Sequence, residues 1–168
     1  MLAVQTVKYP KESMIDIFPI SFEDILPIWQ NHLWPGRQSA IKPMSSMCLT
    51  NENNISYDMS IYEKYSVSFF GAYYENMLVG CNSGHATSPY EYRSRGLWVD
   101  PKFRGKGIGI LLVNACISES EKRQFKKIWT VPRKTSLSTY QKAGFKQVSD
   151  WFDEKVEFGP NCIATKIL

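Results

Sequence analysis

The stretch FRGKGIG, Phe103 to Gly109, sets glycines at positions 105, 107 and 109, and the apolar run ILLVNACI follows at once. Glycine has no Cβ, so its backbone takes φ > 0 readily and approaches other groups closely. From Ile108 the apolar positions are 108, 111, 112, 115 and 116, the spacing of one helix face, with Asn114, Ser118, Glu121 and Lys122 opposite. The first N–H groups of a helix have no internal partner, and the helix dipole is positive there. A glycine loop opening such a helix therefore suits an anion, and Arg104 and Lys106 add charge and donors. The competing reading is a glycine-rich surface turn before an amphipathic helix.

The surrounding sequence predicts a strand–helix junction at this point. Met14 to Ile20, MIDIFPI, alternates as a strand, and Ser21 with Asp24 makes a capping box for a short helix. Pro27 is expected near the start of that helix, which ends by Trp34-Pro35-Gly36. Residues 37 to 64 read as irregular, with a helix around Ser56 to Tyr65. SVSFFGAYY and MLVGCNSGHA read as a hairpin turning at Glu75-Asn76. Tyr92 to Asp100 is a strand running into the glycines. Lys127 to Val131 is another, and Thr135 to Lys142 is a helix with Gly144 as its C′ residue. Phe145 to Phe152 and Cys162 to Leu168 read as closing strands. The pattern is α/β with a mixed sheet.

Composition narrows the class. The 168 residues suit one domain. A net charge of +4 agrees with an anionic ligand and is too small to argue for nucleic acid. No apolar run approaches the ~20 residues of a membrane span. Lys8, Lys11, Glu12 and Asp16 interrupt any leader-like apolar core, so no signal peptide is expected. Cys48, Cys81, Cys116 and Cys162 form no CxxC pair and read as reduced thiols, which points to a cytoplasmic protein. Two histidines are too few for a His-rich metal site, and no metal is expected.

Two well-known glycine loops fail here. A P-loop needs Ser or Thr after its lysine, and Lys106 is followed by Gly107. GxGxxG fails from Gly105, where Ile110 holds the last position, and from Gly107, where Leu112 does. What remains is Arg-x-x-Gly-x-Gly on Arg104, Gly107 and Gly109, preceded by Leu97-x-Val99-x-Pro101 and followed later by Tyr140-x-x-x-Gly144-Phe145. Over residues 92 to 146 this sequence resembles the GNAT N-acetyltransferases, whose coenzyme-A loop, preceding strand and later helix carry these motifs in this order.

That resemblance implies a GNAT fold: a mostly antiparallel sheet, splayed in the middle and flanked by helices, as a single domain over residues 1–168. It implies acetyl-CoA as co-substrate, its pyrophosphate on the backbone of Arg104, Gly105, Lys106, Gly107, Ile108 and Gly109. It lays the pantetheine arm along Trp98 and Val99, with backbone N–H near Val99 for the oxyanion. Many relatives have Asn seven residues before the tyrosine. Arg133 stands there in this chain, which changes that contact. The reaction implied is direct attack of an amine through a tetrahedral intermediate, with Tyr140 protonating the leaving thiolate.

The base is open, with Glu91, expected in a loop, and His85 as candidates. The acceptor implied is a primary amine on a small molecule or peptide, bound by residues 29–60 and 150–160. Asp153, Glu154 and Glu157 beside Trp151 and Phe152 suit a cationic amine, whereas Arg93, Arg95 and Arg133 suit an acceptor bearing a carboxylate or phosphate. A homodimer is compatible with the resemblance. Two other classes remain: a GNAT-fold module that binds acyl-CoA without turnover, and a nucleic-acid binder using Lys122 to Lys127 with Arg133 and Lys134, which Glu119 and Glu121 dilute.

Overall fold

The computed structural model describes residues 5–8, as backbone, and 14–168. Lys11 and Glu12 of the charged N-terminal segment lie outside the described residues. Among the described residues ten strands and four α-helices are formed: β1 Gln5–Lys8, β2 Met14–Ile20, α1 Phe22–Ile28, β3 Met47–Leu49, β4 Ile55–Tyr57, α2 Ile61–Lys64, β5 Val67–Tyr74, β6 Met77–Ala86, β7 Glu91–Val99, α3 Ile108–Lys122, β8 Lys127–Thr130, α4 Lys134–Lys142, β9 Lys146–Gln147 and β10 Ala164–Ile167. Eight strands make one sheet in the order β1-β2-β5-β6-β7-β8-β10-β9, while β3 and β4 pair by themselves. Every neighbouring pair in the large sheet is antiparallel except β7 with β8.

Both faces of the sheet are covered, which is why β5 is apolar at successive positions. Phe70 and Ala72 pack with α3 and α4 in a cluster containing Ile108, Leu112, Cys116 and Tyr140. Phe69 turns the other way, to Ile25, Trp29 and Cys81. The hairpin turn falls at Glu75 and Asn76, both at positive φ, as a two-residue turn between right-twisted strands requires. The capping box at Ser21 forms: Asp24 N–H donates to Ser21 Oγ at 3.2 Å, and Ser21 N–H donates to Asp24 Oδ2 at 3.0 Å. Gly144 takes φ +99° just after α4.

Four local expectations change. Pro27 lies in the second turn of α1, where its missing N–H leaves a carbonyl unbonded, and the chain widens into a π-type turn over Trp29–Leu33. The helix expected around 56–65 is a strand, β4, followed by the short α2, because the 51–54 turn folds β3 back on β4. Glu91 begins β7 and does not lie in a loop. The closing strand from Phe145 shortens to two residues, after which Phe152 makes an isolated bridge to Asn161.

Candidate active site

The site begins where the sheet opens. β7 and β8 pair in parallel only at Glu91–Lys127, Tyr92–Ile128 and Arg93–Trp129. Beyond this, Thr130 Oγ1 donates to the Ser94 carbonyl at 3.0 Å, and the strands diverge. A bulge in β7 accompanies the divergence: Cys81 faces Trp98 while Ser83 faces Arg95. Gly96 sits in the bulge at φ +82°, and a Cβ there would meet the Trp29 indole at 2.4 Å. Trp29 Nε1 donates to the Gly96 carbonyl at 2.9 Å, so a buried tryptophan of the π-type turn braces the opened strand. The result is a cleft of about 550 Å³.

The glycine loop closes one end of the cleft. Asp100 receives the Lys102 N–H at 2.9 Å and ends β7 in a single 3₁₀ turn, Pro101–Phe103. Gly105 has φ +77° and Gly107 φ +82°, and a Cβ on either would meet no atom within 4 Å. That is the form of a cradle open to a bound group. Gly107 is also the N-cap of α3, without a side-chain cap. Gly109 serves differently: a Cβ there would come within 3.0 Å of Thr139 Cγ2, so its bareness lets α3 lie close to α4. The alternate glycines thus have two causes, backbone sign at 105 and 107 and helix contact at 109.

Of the residues expected to form the site, Trp98, Val99, Arg104, Gly105, Gly107, Ile108, Gly109, Arg133 and Tyr140 line the cleft; Lys106 does not, and lies over the Phe103 ring. Trp98 stacks on His32 at 5.0 Å. Arg104 folds back, its Nε donating to the Val99 carbonyl at 2.8 Å. Arg133 Nη2 donates to the Leu33 carbonyl at 2.6 Å, tying the start of α4 to the turn after α1. Tyr140 is 2 % exposed, with its hydroxyl 3.0 Å from Ser94 Oγ. Burial pushes the phenol up to about 12, so it holds its proton at neutral pH. Ser94 in turn receives Asn82 Nδ2–H at 2.9 Å. Ser94 and Asn82 were not anticipated. Their signal was weak: Ser94 stands between two arginines and Asn82 beside Ser83, so nothing in either strand sets them apart.

Neither base candidate reaches this cleft. Glu91 stands at the opposite end of β7 from Val99, about 26 Å along the strand at ~3.3 Å per residue. His85 is fully buried opposite Arg93; its ring Nδ1 lies 3.0 Å from the Ala86 carbonyl, and the Ser45 N–H donates to Nε2 at 3.5 Å. Burial, then the charges of Arg93 and Arg95, lower its pKa from 6.5 to about 3. Below pH 6.5 the unfolded imidazole takes up a proton that the native one refuses. Stability is therefore expected to fall as pH drops from 6.5 towards 3, and melting curves of His85→Gln should show a shallower fall. An unchanged slope in that variant would acquit the histidine.

Glu157, expected beside an amine, is engaged by the protein. It receives the Gln38 N–H at 2.8 Å and the Ser39 hydroxyl, and pairs with Arg37 at 3.9 Å. Asp153 and Glu154 are exposed. Among the described residues no helix is long and apolar enough to cross a membrane, and no group of three His, Cys, Asp or Glu is placed to hold a metal ion. All four cysteines are free thiols.

A mostly antiparallel sheet, opened after three parallel pairs beside a helix that starts in a glycine loop, is the GNAT architecture. Residues 66–147 match the family model described as an acetyltransferase (GNAT) domain. Solved structures agree in fold. IAA acetyltransferase from Bacillus cereus ATCC 14579 is similar at TM-score 0.64 and 19% identity, over 92% of this chain and 99% of that one. A GNAT family acetyltransferase from Elizabethkingia anophelis, with acetyl-CoA bound, is similar at 0.56 and 18%, over 92% and 98%. Arabidopsis thaliana Naa50, in complex with the bisubstrate analogue CoA-Ac-MVNAL, is similar at 0.59 and 18%, over 90% and 97%. No curated protein sequence matches.

Proposed function

We propose that the 168 residues form one acetyltransferase domain that moves the acetyl group of acetyl-CoA to a primary amine of a small molecule or peptide. The observation that carries this is a shared cleft: the open glycine loop, the unpaired part of β7 and Tyr140 all line one space. Acetyl-CoA fits the chemistry of that lining and supplies a thioester whose C–S bond breaks as the amine nitrogen bonds the carbonyl carbon. The N–H groups of residues 104–109 hold its phosphates, as a capless helix start favours. Trp98 and Val99 offer backbone to an amide-bearing arm. Tyr140 holds the proton that the departing thiolate needs, and its orientation is set by Ser94. The amine gives up one proton to solvent and solvent returns one to the Tyr140 phenolate, leaving amide and free thiol in balance. Nearby guanidiniums favour the neutral amine over ammonium, which lessens the need for a side-chain base.

One observation favours a second reading, a module that binds acyl-CoA without turnover: His85 and Glu91 both miss the cleft. Thiol release from acetyl-CoA across a panel of amines separates the two, since the module releases none. Both readings expect acetyl-CoA to stabilise the fold, by about 2.7 kcal/mol at 100 times its dissociation constant. An unshifted melting temperature at millimolar acetyl-CoA would remove the cofactor from both.

A further inference from the structure

We propose that the acceptor carries an oxyanion, a carboxylate or a phosphate ester, and that Arg93 binds it at the floor of the cleft. This rests on the acetyltransferase reading and specifies its substrate. Arg93 is 7 % exposed and lines the cleft. Its Nε and Nη1 are buried and meet no hydrogen-bond partner among the described residues, and no carboxylate there lies within 4 Å of it. Its guanidinium carbon lies 5.1 Å from the centre of the Trp129 ring. Burying a charge without an acceptor is costly, and an apolar side chain would pack against tryptophan without that cost. Burial lowers the group only to about 10, so it remains charged at neutral pH.

The surroundings add to this charge. Arg95, 6 % exposed, is held between Trp29 and Trp34, and its Nη1 donates to the Lys42 carbonyl at 3.0 Å. Arg133 is held by a carbonyl and the Phe158 ring. Carbonyls and rings position these cations without neutralising them. Of the carboxylates in the neighbourhood, Glu157 is already bonded to Arg37, Gln38 and Ser39, and Glu91, two residues along the same face of β7, makes no ion pair with Arg93.

The sheet decides which substrate bears the anion. Successive strand residues face opposite sides. Ser94 meets Tyr140, and Tyr92 joins the cluster under α3, so this face belongs to the glycine loop and α3. Arg93 and Arg95 project to the other face, Arg93 against Trp129 and Arg95 towards Trp29, Trp34 and Lys42. The charge awaiting a counter-ion is therefore across the sheet from the coenzyme's phosphate loop, on the side left for the acceptor. A guanidinium fork fits either oxyanion in a bidentate way.

Matched amines test this on the full chain: an amino acid against its carboxamide, and phosphoethanolamine against ethanolamine. The anionic member of at least one pair is expected to show kcat/KM at least tenfold higher. It should also raise the melting temperature without acetyl-CoA, and Arg93→Met should abolish both effects while Arg93→Lys keeps part of them. Which pair responds identifies carboxylate or phosphate. Turnover in which the neutral members do as well would overturn the oxyanion site and leave the acetyltransferase standing. An anion-dependent melting shift lost in Arg93→Met, with no thiol released from any amine, would keep the site and end the acetyltransferase reading. Arg93→Met should melt at or above the wild type, since it removes a buried charge. A lower melting point together with no preference between matched amines in the wild type would make Arg93 a packing residue. The wild-type comparison decides even where a variant fails to fold.

Discussion

Gly107→Val should weaken acetyl-CoA binding by more than a hundredfold while the protein still folds. The Cβ of residue 107 projects into space that holds no protein atom within 4 Å, at the start of α3. A branched side chain there fills the mouth of the cradle and keeps a phosphate from the first N–H groups of the helix. Folding is taxed for a separate reason. At φ +82° a valine is strained, by about 1–3 kcal/mol on the scale of such residues. For a chain of this length that lowers the melting point by roughly 2–4 °C per kcal/mol. Calorimetric titration with acetyl-CoA, on protein whose circular dichroism matches the wild type, measures the effect. Ordinary affinity in that variant would reduce the loop to a structural turn.

Tyr140→Phe should slow turnover and leave acetyl-CoA affinity almost unchanged. General acids contribute roughly 10²–10⁴-fold, and a thiol is a fair leaving group, so a loss near 10² is expected. The ring is kept, and with it the edge contact to Phe145 and the packing under α3. The lost hydroxyl had Ser94 as its partner, and Ser94 still has Asn82, so no buried group is orphaned. Single-turnover rates with acyl donors of more acidic thiols should show a shrinking defect. Equal rates for Tyr140→Phe and wild type, with chemistry limiting, would leave the tyrosine a purely structural place.

What was readable beforehand was local. The strand into Val99, the helix from Ile108, the tyrosine helix and the Glu75-Asn76 turn follow from periodicity, glycine and capping, which act within a few residues. The glycine loop and Tyr140 carried their chemistry in their spacing. Other features depend on partners distant in the chain. Gly96 needs Trp29, sixty-seven residues earlier, to make sense of its bulge. Ser94 acquires a role through Tyr140, and Arg93 becomes conspicuous only when the folded chain provides no acceptor for it. Glu91 and His85 looked like bases because titratable residues near a motif invite that reading. Strand length removes the first, and burial removes the second.

The three-pair seam between β7 and β8 also has a mechanical meaning. On one side lie five strands with α3 across them; on the other, β8, β10 and β9 form a smaller block. Backbone bonding across the boundary is brief, and the contacts that reinforce it are side-chain ones, such as Thr130 on Ser94 and Arg133 on Leu33. The domain resembles two plates joined along a short weld. Any molecule lying in the gap touches both plates and acts as a rivet, so occupancy and rigidity rise together.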